Sequence, residues 1–377
     1  MPSIGRRSTC VVVLAALALL LRTGVAQAQA QPDPQATPSP SPSPSPEPPR
    51  VDVGAYVDTY YLYNTNKADP ALRSYDVRHN AFTLAAADLS VSRTPSAQSR
   101  LGFAADLFFG DAADLTSLAE PSSGGKEIYK NIKQAYLSLL TGKVQWDAGK
   151  FVTPIGAEVI ESQNNWNYSR SILFGYAIPF YHAGVRATYT ASPKATLSAL
   201  LVNGWTNVTE NNDDKTVALG LTLKPTASWT WVANYIVGKE APQDAPVRDV
   251  RNLFDTTLTW TATPKLSLMA NGDYGAEGPT KWWGIAAYAK YQAVPSWAVV
   301  ARYEYVDDSK GGFMTISGKA QSFTLTSDHL IAGGLRARLE YKLDHVDRDF
   351  FHKSDGTLVG NQPTFTVGLV YAFAGKI

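Results

Sequence analysis

Leu335-Arg336-Ala337-Arg338-Leu339-Glu340-Tyr341-Lys342-Leu343-Asp344 sets an apolar residue at every odd position and a charged one at every even position. Side chains of an extended chain point alternately to opposite faces, so this segment is a strand with one greasy face and one charged face. A soluble sandwich would turn the apolar face into a core. A membrane barrel turns it to lipid and leaves the charges to water inside.

The same period of two recurs outward from this segment. Leu101, Phe103, Ala105, Leu107 and Phe109 oppose Arg100, Gly102, Ala104, Asp106 and Phe108. Val185, Ala187 and Tyr189 oppose His182, Gly184, Arg186 and Thr188, and Val217, Leu219, Leu221 and Leu223 oppose Thr216, Ala218, Gly220 and Thr222. Turn residues separate such segments at Pro95, Gly142, Pro193, Pro225, Pro264 and Pro295, and a less sharply marked turn falls between Asp328 and Gly334.

Longer polar connections fall at 64–76, 110–128, 153–178, 205–213, 240–248, 276–280, 308–318 and 347–361. Seven short turns and eight longer loops make about sixteen antiparallel strands, with both termini on the short-turn side. The expected fold is therefore all-β, a transmembrane antiparallel β-barrel over 51–377. Tyr60, Tyr61 and Tyr63, Trp229 and Trp231, Trp282 and Trp283, and Tyr371 with Phe373 stand near strand ends as expected interface girdles.

Ahead of the strands, Arg6 and Arg7 precede an apolar run from Cys10 to Leu21 and small residues through Ala30, the three parts of a cleaved signal peptide over 1–30. Residues 31–50 alternate Pro with Ser and should stay extended as a linker. The one cysteine, Cys10, falls inside the signal, which leaves the mature chain no thiol, disulfide or cysteine metal site. Net charge is +1 with 18% charged residues, so no nucleic-acid partner is expected.

In hydrocarbon every backbone polar group must be paired, which forces the sheet to close. A barrel of about sixteen strands encloses an aqueous lumen rather than a packed interior. The expected function is passive diffusion of small hydrophilic solutes or ions. The alternative is a non-conducting barrel serving as adhesin, receptor or structural protein.

The connection over 153–178 carries Ile172, Leu173, Phe174 and Ile178, too apolar for a floppy external loop. It is expected to fold inward and form a constriction with Glu158, Glu161 and Arg170, its carboxylates facing basic wall residues such as Arg100, Arg186, Arg336 and Arg338. Asp106, His182 and Glu340 complete the expected wall.

No catalytic residues, metal or cofactor are expected. The five histidines lack metal spacing, and Ser169 or Ser171 with His182 is the one pair resembling a nucleophile and base. Asp344, His345, Asp347 and Asp349, or Asn211 to Asp214, are weak metal candidates without defined ligand spacing.

From Trp146 the chain reads Trp-Asp-Ala-Gly-Lys-Phe-Val-Thr-Pro-Ile-Gly-Ala-Glu. Asn164-Asn165-Trp166-Asn167-Tyr168-Ser169-Arg170-Ser171, Phe174, Pro179, His182, Gly184 and Val185 follow. This succession resembles the OmpL-like β-barrel porin family over about forty residues. The resemblance implies an outer-membrane porin-like barrel among lipid, and fold analogy adds a homotrimer as an expectation. The end departs from the aromatic terminus of many such barrels, since Phe373 is followed by Ala-Gly-Lys-Ile.

Overall fold

The computed structural model describes residues 51–118, 120 and 129–377. The expected signal peptide (1–30) and linker (31–50) lie outside the described residues.

The strands are β1 (Asp52–Asn64), β2 (Ala81–Arg93), β3 (Leu101–Phe109), β4 (Ile132–Thr141), β5 (Val144–Val152) and β6 (Tyr181–Ser192). They continue as β7 (Ala195–Val202), β8 (Thr216–Leu223), β9 (Trp229–Lys239), β10 (Val250–Thr261), β11 (Leu266–Glu277) and β12 (Thr280–Val294). The last are β13 (Trp297–Lys310), β14 (Lys319–Ala332), β15 (Leu335–Val346), the two-residue β16 (Phe351–His352) and β17 (Leu358–Val359), and β18 (Asn361–Lys376). A short helix α1 (Asp111–Thr116) lies in the second long connection.

Sixteen of these strands form one closed antiparallel barrel, each paired with its sequence neighbour except where β18 pairs with both β15 and β1. β16 and β17 form a separate two-stranded ladder in the last long loop. Closure runs from Asp52↔Lys376 to Asn64↔Thr364, so β1 begins and β18 ends on the short-turn rim and no ladder edge of the barrel is left open to lipid.

All seven short turns stand where the punctuation put them. Gly142 with φ +62° closes the two-residue turn between Thr141 and Val144, and Gly333 and Gly334, both at positive φ, close the turn before Leu335. Seven of the longer connections are genuine loops. The connection expected over 276–280 is instead a tight hairpin, with Glu277 paired to Thr280 around Gly278 at φ +55°. Glycine alone takes that conformation without strain, and it lets the polar residues on either side continue the ladder.

Outward positions are exposed and apolar, among them Leu101, Leu339, Phe365 and Phe373. Trp229 stacks on Trp260 with ring centroids 5.1 Å apart, and Trp297 on His329 at 5.8 Å, on the short-turn side. Two expected girdle residues face the other way. Tyr60 and Trp282 are buried inside the barrel, while Tyr61, Tyr63 and Trp283 face out, because adjacent strand residues must take opposite faces.

Candidate functional site

The third long connection, 153–180, folds into the barrel. Pro154 and Gly156 (φ +98°) turn the chain inward, a 3-10 turn over Ser162–Asn164 crosses the lumen, and a π-helical turn over Leu173–Ala177 leads back toward β6. Arg170 staples the loop to itself. Its guanidinium donates to the carbonyls of Val159, Ile160 and Tyr168 and lies 4.9 Å above the Tyr75 ring. Three loop carbonyls are thereby gathered around one buried cation, which supplies partners to an irregular stretch of backbone.

The wall holds the loop from several sides. Arg302 on β13 donates to Glu158 at 2.7 Å and to the Ser169 carbonyl at 2.7 Å, and its Nε lies 3.0 Å from Glu304. Glu304 in turn accepts from the Ile172 amide at 2.6 Å. On β15, Glu340 accepts from the amides of Tyr168 and Ser169 at 2.7 and 3.0 Å, and Arg338 donates to the carbonyls of Ser162, Asn165 and Asn167. On β1, Asp58 accepts from Tyr56, Ser162 and Tyr168. Burial, with Asp58 beside it, raises the Tyr168 hydroxyl well above the ordinary phenol range, so it remains a donor.

On the opposite side Lys133 bridges Glu161 of the loop to Asp88 at 2.5 Å and Asp106 at 3.5 Å. A polar cavity of about 240 Å³ lies there, bounded by Asp88, Asp106, Lys133, Glu161 and Gln163. The loop's two carboxylates therefore meet cations on two different walls.

Those cations are not the ones the sequence singled out. Glu158 and Glu161 pair with Arg302 and Lys133, not with Arg100, Arg186, Arg336 or Arg338. Arg100 stands exposed before β3 and donates to the Leu140 carbonyl, so it lies at the short-turn rim rather than on the wall facing the loop. Arg186 points inward from β6 but pairs with Asp147 at 2.8 Å. Arg336 pairs with Asp328 at 2.9 Å, and Arg338 grips loop carbonyls instead of carboxylates.

Asp106 is buried between Lys133 and Gln134. His182 is fully buried between the Gly204 carbonyl and Thr153 at the loop's root, and no hydrogen bond joins it to Ser169 or Ser171 among the described residues.

Above the loop the lumen is packed. Trp282 stacks on Phe313 with centroids 3.6 Å apart, Trp205 meets both edge-on, and Leu173, Phe174, Val306 and Met314 are buried in the same apolar cluster. At the level of the loop, inward residues that keep partial exposure are Gln134, Tyr136, Gly184 and Arg186 on β4 and β6.

The model of a family described as "Putative beta-barrel porin-2, OmpL-like" matches residues 50–373. No curated protein matches the chain in sequence. Among solved structures, outer-membrane OmpT of Vibrio cholerae superposes with a TM-score of 0.58 at 13% identity, over 87% of this chain and 99% of that one. An OmpT structure described as a trimer form gives 0.58 at 13% identity, over 86% and 99%. The anion-selective porin of Comamonas acidovorans gives 0.57 at 12% identity, over 86% and 99%. At such identities the likeness is one of fold. The family match, spanning the whole closed barrel, carries the assignment: the chain belongs to the OmpL-like β-barrel porin family of bacterial outer membranes.

Proposed function

We propose that the loop over 153–180 sets the cross-section through which this porin passes small hydrophilic solutes or ions, and that the passage follows the β4–β6 flank. Passive diffusion is the activity of the porin family. The observation that carries the finer reading is the pairing of both loop carboxylates with wall cations, Glu158 with Arg302 and Glu161 with Lys133. Those two pairs hold the loop in the lumen, and the gap left beside it, where the partly exposed Arg186 stands next to Asp147, filters polar solutes by charge and size. No residue of the loop or wall needs a cofactor or a catalytic step for this work.

Conductance of refolded protein in a planar bilayer tests the reading. Stepwise openings whose size changes when Gln134 or Tyr136 is replaced by Trp support the flank as the passage, and openings insensitive to both overturn it.

The packed layer of Trp282, Phe313, Leu173 and Met314 favours a second reading, a barrel closed in this conformation and serving as receptor or scaffold. Openings in native protein would dispose of it. A homotrimer is supported by the OmpT trimer form of similar fold, and chemical cross-linking of the protein in outer-membrane preparations tests it.

A further inference from the structure

Below the loop, on the short-turn side, the inward charges are unevenly paired. Lys290 projects inward from β12 between the buried Tyr288 and the turn, and among the described residues it has no hydrogen bond or ion pair. The register sets Lys290 opposite Val300 and Val300 opposite Thr326, two residues from Asp328, and Asp328 stands opposite Arg338 two residues from Arg336, so these charged groups share the inner wall beside Lys290. Asp328 is the one carboxylate of the group, and it already meets Arg336 at 2.9 Å and Arg338 at 3.4 Å.

Three cations thus surround a single anion. Arg338 is turned into the loop's carbonyls, and the Asp328 side chain is only 2% exposed, whereas the Arg336 side chain is 36% exposed and Lys290 is half-buried. The charge presented to the vestibule from this wall is positive. The carboxylates of the opposite wall, Asp88 and Asp106, are withdrawn behind Lys133.

We propose that Lys290 and Arg336 form an anion-binding station on the short-turn side of the loop, suited to a small oxyanion such as a carboxylate or phosphate. The inference rests on the reading of the lumen as a passage, and gives that passage a preference for anions. Lys290 supplies a point charge without a partner, and Arg336 supplies the free edge of a planar guanidinium that can donate a bidentate pair of hydrogen bonds to a second anion. Asp328, itself paired with Arg338, holds that guanidinium from behind. A station on one side of a constriction raises the local concentration of its counter-ion without trapping it, because one face of the site stays open to water.

The experiment is a reversal-potential measurement under a potassium chloride gradient on the refolded, full barrel. It is paired with phosphorus NMR line-broadening of inorganic phosphate by the same detergent-solubilised protein. The wild type should favour chloride over potassium. Lys290→Gln and Arg336→Gln should each lower that ratio about threefold, the factor for one unit charge acting at about 6 Å through water. Both should weaken phosphate broadening, and Lys290→Arg should keep it.

Gel mobility of unheated against boiled samples checks that each variant is folded. An unchanged ion ratio in folded, conducting variants overturns the station. If the wild type never conducts, the passage reading fails by itself. Phosphate broadening that depends on Lys290 would still uphold the station, and its absence would overturn it.

Discussion

Glu158 and Arg302, 144 positions apart in sequence, meet at 2.7 Å inside the barrel with side-chain exposures of 3% and 0%. The pair ties the first part of an inward loop to a strand across the barrel from its root. Arg302 also faces Glu304 at 3.0 Å, so one guanidinium balances two carboxylates away from water.

Replacing Arg302 by Met should therefore leave two buried, uncompensated anions. The expected loss is about 3–5 kcal/mol, the cost of breaking a buried ion pair from one side. Urea unfolding in detergent micelles measures it. Adding Glu158→Gln and Glu304→Gln to the same chain should recover much of the loss, since the penalty lies in the stranded charges.

Tyr168→Phe removes the donor that reaches Asp58 at 2.8 Å while Tyr56 and Ser162 still serve that carboxylate. A hydrogen bond to a charged group contributes about 1.5–3 kcal/mol, and the remaining donors place the expected cost at the low end. The same unfolding midpoint reads it, and a loss as large as that of Arg302→Met would contradict this ranking.

Gly368 and Gly284 are the wall positions that make room for the loop. A Cβ at Gly368 would run into the Tyr168 ring, and one at Gly284 would lie 2.7 Å from Leu173. Gly368→Val should push the loop off its seat at a cost of about 1–3 kcal/mol. Faster thiol labelling of a cysteine placed at Gln163 would report the displacement.

Trp282→Ala opens the layer in which Trp282 stacks on Phe313 at 3.6 Å. Truncating a buried aromatic of this size costs about 3–5 kcal/mol. Because the passage runs along β4–β6, single-channel conductance of the folded variant should stay near the wild-type value, and a clear rise would contradict that course.

The barrel was legible because alternation is local. Leu335 to Asp344 announces its two faces without reference to any other segment, and Gly142 or Pro193 marks a turn by its own backbone geometry. The inward course of 153–180 was legible from Ile172, Leu173 and Phe174, apolar residues in a loop with no strand to bury them.

The loop's partners were hidden for two reasons. Arg302 stands at an inward position of β13 like several other wall charges, and which of them faces Glu158 depends on how a loop crosses the lumen. Lys133 lies where the β3–β4 register shifts between Asp106 and Leu107, so the local parity breaks and Lys133 and Gln134 both reach Asp106. Trp282 and Trp283 show the limit of composition: two adjacent tryptophans read as a girdle, yet a strand sends one of them inside.

The central claim is that the inward loop, held by its two carboxylates, governs a conducting lumen. Planar-bilayer recordings of folded wild type and of Glu158→Gln/Glu161→Gln test it most directly. The account predicts stepwise openings in the wild type, and altered conductance and ion selectivity in the variant as Arg302 and Lys133 lose their loop partners. Identical recordings from both proteins, or no openings from demonstrably folded and inserted wild type, would contradict it.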